Sequence, residues 1–408
     1  MVWLMLDIIL MAFLGVGGGI VAGLVPGVHP NTISGVMVMF TASLLAVFTP
    51  HAVAVFIIAM AISNTFMDFI PSIFIGAPEE DTSMSVLPGH RFLLEGRAQE
   101  AICLTVAGGL GVIILSIALF PFISFMLPPL YEGVKSYMGW LLLGLAGFMV
   151  LLEDGMKKVF GLFVFLVAGL FGMMALGTPL IPDEQLLFPI FSGMFGISTL
   201  IISLRSGAVV PRQVEGPIRI PGRESVMGSI KGFLSGMVMG VLPGIGASQA
   251  GVLCQELSGS RSIKEYMVAI GGINTVASLF SLLALYLIAR PRSGAAIAVE
   301  ALLQDFGFTE MLLLMSVSLF SAGISGYLTV KVGRWLGGIF QKIGYKNLSV
   351  GVIALLIFLC AVLTGWIGML YMFTATAIGM LAPLLGTKRT HGMAVLMLPI
   401  MLYYFGLG

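Results

Sequence analysis

Residues 19–27 read Gly-Ile-Val-Ala-Gly-Leu-Val-Pro-Gly, and residues 236–244 read Gly-Met-Val-Met-Gly-Val-Leu-Pro-Gly. Both strings lie in apolar stretches, 217 positions apart (19 against 236) in a chain of 408. A Pro-Gly pair removes an amide donor, permits positive φ and breaks a helix. In lipid, the backbone groups freed by the break must be satisfied by protein or by a ligand. Breaks at corresponding points of two halves point to a transporter's binding site. The first break supplies Pro26, Gly27, His29, Asn31 and Thr32, with Asn31-Thr32 placed to cap the following helix. The second supplies Pro243, Gly244, Gly246, Ser248 and Gln249. Helix N-termini present free amides and a partial positive charge, which suits a carboxylate. The plainer alternative at each break is a tight turn that binds nothing.

A second pair of residues also recurs. Asn64-Thr65 and Asn274-Thr275 each lie in the third apolar segment of their half. Amides and hydroxyls suit substrate carboxylate oxygens or a sodium ion. They equally suit hydrogen bonds that hold helices together. Asp68 follows Asn64 by four residues, on one helical face with it. An acid inside a span is a candidate for proton or cation coupling, unless it lies at a broken helix end and is partly solvated. Arg290 and Arg292 flank Pro291 and could attract anions. Glu79-Glu80-Asp81 reads as a solvated acidic loop. His-Glu-x-x-His, Gly-x-Ser-x-Gly and Gly-x-x-x-x-Gly-Lys strings are all missing, so no metal site, catalytic residue or nucleotide-driven pump is expected. No cofactor is expected beyond a coupling Na+ or H+.

The elements holding these residues follow from composition. Hydrophobic residues make up 58% of the chain and charged residues 10%, with mean hydropathy +1.08. A soluble domain carries about 25% charge. The chain therefore reads as an all-α polytopic membrane protein. Its net charge of +1 gives no footing for nucleic acid. Cys103, Cys254 and Cys360 lie far apart in apolar runs and read as small core residues.

About seven apolar segments fall in each half. They lie near 5–24, 32–49, 51–76, 99–127, 138–153, 157–177 and 185–204, then 229–244, 246–257, 265–289, 309–330, 347–366, 367–386 and 391–407. Some are short enough to be hairpin arms. With the N-terminus outside, 17 of the 20 Lys and Arg fall inside, leaving Lys135, Arg290 and Arg292. An odd number of segments per half inverts the second copy. Residues 1–204 are expected to form the first inverted repeat, 205–228 a cytoplasmic linker and 229–408 the second repeat, in the cell membrane.

These strings resemble those of a known family. Gly-x-x-x-Gly-x-x-Pro-Gly in both halves, with Gly96-Arg97-Ala98-Gln99-Glu100-Ala101 after the third segment, is similar to the large membrane subunit of tripartite tricarboxylate transporters, the TctA family. The resemblance spans nearly the whole chain, whose length is closest to compact archaeal-type relatives. His29 stands where the family usually has glycine. The resemblance implies uptake of tri- or dicarboxylates by symport with an ion gradient. It also implies a small membrane subunit and an extracytoplasmic solute-binding protein, with membrane lipid around them; a homodimer stays open. The competing classes are an intramembrane enzyme acting on a lipid-linked substrate, for which only Asp68 with His29 could serve, and an ion channel.

Overall fold

The computed structural model describes residues 2–25, 33–34, 37, 44–74, 82, 86–177, 180–181, 183–205, 218, 220–241, 247, 250–251, 254, 262–303, 305–340 and 345–407. All regular structure among them is helical. In chain order the helices are α1 (Val2–Leu24), α2 (Pro50–Met67), α3 (Phe69–Phe74), α4 (Val86–Leu94), α5 (Ala98–Ala118), α6 (Phe120–Val134), α7 (Met138–Leu151), α8 (Lys157–Ala175), α9 (Asp183–Phe191) and α10 (Ser198–Arg205). They continue with α11 (Gly222–Val241), α12 (Ile263–Ile288), α13 (Gly294–Leu302), α14 (Phe308–Phe340), α15 (Tyr345–Leu384) and α16 (Ala394–Tyr404). Nine helical stretches among the described residues are long and apolar enough to cross a membrane, so the chain is a multi-pass membrane protein.

Prolines and glycines explain where the helices differ from the expected segments. The segment expected over 99–127 divides at Leu119, just before Pro121 at the start of α6. Proline cannot donate the bond that would continue α5. α6, a 3-10 turn at Lys135–Tyr137 and α7 then form one apolar stretch, Phe120–Leu151. The two segments expected over 347–386 meet inside α15 at Gly365, whose φ of 67° and ψ of −162° suit glycine alone. α11 begins at Gly222, directly after Pro221, within the stretch read as linker; residues 206–217 lie outside the described residues.

Two sets of helices build the larger core. Gly15, Gly19 and Gly23 of α1 lie over Phe56, Met60 and Met67 of α2 in turn, so the two helices run parallel. A Cβ on Gly19 would fall 2.3 Å from the Met60 carbonyl oxygen, so only a glycine allows this approach. α14 runs with α2: Glu310 faces His51 and Ser325 faces Ser63. In the second set, Gly228, Gly232 and Gly236 of α11 lie over Val268, Ala269 and Val276 of α12. α5 runs with α12, from Glu100 beside Lys264 to Gly109 beside Thr275.

The two sets run in opposite directions. Gly326 of α14 packs on Val106 and Leu110 of α5, whereas the later Gly333 packs on the earlier Gln99 and Ile102. α5 and α14 are therefore antiparallel. The N-termini of α2 and α14 lie at one end of the bundle, and those of α5 and α12 at the other.

A separate apolar cluster joins α7, α8, α9, α15 and α16. Pro189 near the end of α9 is followed by a π-helical turn, Ser192–Ile197, before α10. There Gly193 and Gly379 allow backbone contact with α15: a Cβ on Gly379 would lie 2.0 Å from the Met194 carbonyl oxygen.

Candidate functional site in the helix core

α2 and α12 cross where the recurring Asn-Thr pairs lie. α2 starts with Thr49, whose Oγ1 accepts from the Ala52 amide at 3.3 Å, and with Pro50 in its first turn. It stops at Asp68, whose amide donates to the Asn64 carbonyl at 3.0 Å. Pro71 accounts for the stop, because it leaves the Met67 carbonyl without its helical donor. Asp68 therefore occupies a helix junction and not the middle of a regular helix. The junction lies inside the protein: Asn64, Asp68 and Asn274 are all buried.

Four of the five candidate residues from the third segments meet across this crossing. Asn274 Nδ2 donates to Asp68 Oδ2 at 2.8 Å and to the Thr65 carbonyl at 3.3 Å. Thr65 Oγ1 lies 3.2 Å from Thr275 Oγ1 and also donates to the Ile62 carbonyl at 2.8 Å. Thr275 Oγ1 donates to the Gly271 carbonyl at 3.1 Å. Asn64 stands apart on the α1 side, where its backbone borders Gly19 and Gly23. Its Nδ2 is buried without a hydrogen-bond partner among the described residues.

The third component is α5. A Cβ on Gly109 would lie 2.7 Å from Thr275 Oγ1 and 2.8 Å from the Phe66 ring, so this glycine lets both motifs close against α5. Ser63 Oγ and Ser325 Oγ, 2.7 Å apart, tie α2 to α14 beside the motif. The sequence reading passed over the glycine ladders and Ser325. Glycine at every fourth position along α1 and α11 is the signal that could have found the ladders.

Pro26, Gly27, His29, Asn31, Thr32, Pro243, Gly244, Gly246, Ser248 and Gln249 lie outside the described residues. Ala247 and Ala250, next to the second break, are buried in an apolar cluster that includes Ile273. Of the two arginines that flank Pro291, Arg290 is exposed. Arg292 turns inward, its guanidinium 5.6 Å from the Tyr131 ring centroid, and burial lowers its pKa.

Each end of the bundle carries a contact between a basic and an acidic side chain. At one end His51, the second residue of α2, lies 3.7 Å from Glu310, the third residue of α14. At the other end Lys264, the second residue of α12, lies 2.7 Å from Glu100, the third residue of α5. Glu100 also holds Arg97 at 2.8 Å.

Chemically, among the described residues the crossing holds one buried carboxylate, with an amide donor aimed at it and two hydroxyls beside it. Such a group can take up a proton or face a cation, and a buried amide such as Asn64 can donate to an anion. No group of three or more His, Cys, Asp or Glu side chains that could hold a metal occurs among the described residues.

Comparison with known proteins gives three findings. The family model described as "Tripartite tricarboxylate transporter TctA family" matches residues 9–394. An uncharacterized protein of Methanocaldococcus jannaschii is 29% identical over 407 residues, covering 97% of this chain and 98% of that protein. No solved structure matches.

Proposed function

We propose, from the premise that the chain belongs to the tripartite tricarboxylate transporter TctA family, that it is a secondary active permease carrying tri- or dicarboxylates by alternating access. Membership itself makes it a component of such a transporter and not an enzyme, in a system with a small membrane subunit and a solute-binding protein. The finer reading is a carrier in the cell membrane that couples its substrate to a sodium or proton gradient.

The observation that carries this reading is the 2.8 Å hydrogen bond from Asn274, in one recurring motif, to Asp68, one turn beyond the other, on helices of opposite direction. Antiparallel α5 and α14, each packed on the other half's Asn-Thr helix, support two inverted repeats. In an inverted pair, one half rocking against the other exposes a shared central site to each side in turn. With the N-terminus outside, the His51–Glu310 end faces out and the Glu100–Lys264 end faces in, in keeping with the charge bias of the loops.

In this reading Asp68, Thr65, Asn274 and Thr275 take the coupling ion. Asn64 Nδ2 donates to a substrate carboxylate, together with amides and side chains at the two Pro-Gly breaks. Neutral donors and helix ends hold the anion without a fixed ion pair, so its release breaks no strong salt bridge. The small subunit and the solute-binding protein would deliver substrate from outside.

The test is counterflow in proteoliposomes. Vesicles loaded with unlabelled citrate, succinate or tartrate should accumulate the matching labelled anion, and an inward sodium or proton gradient should drive net uptake. A channel would instead pass sustained current in a voltage-clamped bilayer. Such current without counterflow contradicts the carrier reading.

A further inference from the structure

Away from the helix crossing, one half-buried cation pairs with no carboxylate among the described residues. Arg389 opens a short 3-10 turn, Arg389–Met393, between α15 and α16. Its Nη1 donates to Ser198 Oγ at 3.1 Å and to Thr199 Oγ1 at 2.6 Å. Both hydroxyls spend their own protons on carbonyls of the π-helical turn, Met194 and Phe195. They can therefore only accept from the arginine. Nη1 is fully used, and the guanidinium plane is fixed by two adjacent anchors. π-helical turns of this kind often mark functional positions.

No carboxylate pairs with Arg389 among the described residues. The nearby acid is already engaged: Glu153 Oε1 accepts from the Lys388 amide at 2.8 Å and lies 3.0 Å from His391 Nε2. Burial with no acid in reach lowers the Arg389 pKa to about 10. Cations collect on the same side: Lys157 and Lys158 open α8, and the Lys157 Cε lies 3.9 Å from where a Gly386 side chain would begin. A guanidinium tied through Nη1 still offers Nε and Nη2, two parallel donors whose spacing matches two oxygens of a carboxylate or phosphate.

We propose that the Nε–Nη2 edge of Arg389 is a bidentate oxyanion site, set by Ser198 and Thr199 at the start of α10 against the turn between α15 and α16, and separate from the Asp68–Asn274 crossing. The ligand is a phosphate or carboxylate group, from an anionic lipid headgroup or from a free anion on that side of the membrane.

The test measures the melting midpoint of the purified full chain in neutral detergent. It is titrated with inorganic phosphate, with acetate and with short-chain phosphatidylglycerol, using chloride at equal ionic strength as the control. At least one of the three should raise the midpoint saturably above the chloride control. In Arg389→Lys, which keeps the charge and can still reach the hydroxyls, half-saturation should need about tenfold more ligand, because the planar fork is lost. In Arg389→Gln the response should vanish. A response to phosphatidylglycerol alone assigns the site to lipid, whereas a response to phosphate or acetate assigns it to a soluble anion. If Arg389→Gln does not fold, Arg389→Lys decides. A response unchanged in Arg389→Lys, or no response above chloride in the wild type, overturns the proposal.

Discussion

Asn274 of α12 donates to Asp68 at the end of α2 over 2.8 Å, joining two residues that are 206 positions apart in the chain. The contact ties the two Asn-Thr motifs together inside the protein. Its energy should therefore be measurable. Removing the donor alone leaves a buried carboxylate without that amide, at a cost of about 1–3 kcal/mol. Asn274→Ala should lower the melting midpoint, and Asp68→Asn in the same background should recover part of the loss. A double-mutant cycle reads this as a coupling energy of about 1 kcal/mol or more. Additive losses would show that the two side chains do not interact.

The glycine ladders give a position-specific prediction. A methyl group on Gly19 meets the Met60 carbonyl at 2.3 Å, and one on Gly236 meets Val276 Cγ1 at 2.1 Å. Nothing lies within 4 Å of the same group on Gly17. Gly19→Ala and Gly236→Ala should each destabilise by about 1–3 kcal/mol through overpacking. Gly17→Ala should be neutral or stabilising by up to about 1 kcal/mol, since alanine favours the helix. Thermal melting of the three variants side by side decides this.

Glu153 sets a dependence on pH. Burial pushes its carboxyl up, but hydrogen bonds from the Lys388 amide and from His391 hold it below the ordinary carboxylate value. A carboxyl depressed in the folded state contributes stability above its unfolded pKa, about 4.3 for glutamate. That contribution disappears as pH falls through the lower folded value. The difference in melting midpoint between wild type and Glu153→Gln should shrink as pH falls below ~4. A difference that grows on acidification would reverse the sign of the argument.

The end pairs test direction. Glu310 and Lys264 lie at opposite ends of the antiparallel bundle, so single cysteines at these positions should be labelled from opposite sides. A membrane-impermeant maleimide applied to intact cells should modify Glu310→Cys and spare Lys264→Cys until the cells are opened. Labelling of both from one side would contradict the antiparallel packing of α5 on α14.

The recurring Asn-Thr pairs and the apolar segments were legible in the sequence because both are local in the chain. The pairing of Thr65 with Thr275 was foreshadowed by recurrence alone, since no periodicity states which helix faces which. For Asp68 the sequence left a helix face and a broken helix end both open, and Pro71 is the signal that favours the helix end. The division at Leu119 split an expected segment because a single proline outweighs a long apolar run, whereas the kink at Gly365 falls within two residues of the expected boundary at 366/367. Arg389 was counted only as an inner-loop charge. Its burial depends on Ser198 and Thr199, 191 and 190 positions away. The family was legible because glycines and prolines at fixed spacing are short, local strings.

The most direct measurement is counterflow of labelled citrate into proteoliposomes by Asn64→Ala/Asn274→Ala beside the wild type, with folding of both checked by gel filtration and melting. The account predicts robust exchange by the wild type and exchange at the level of empty vesicles for the folded double variant. Undiminished exchange by the double variant would contradict it, because the recurring asparagines would then have no part in moving the anion.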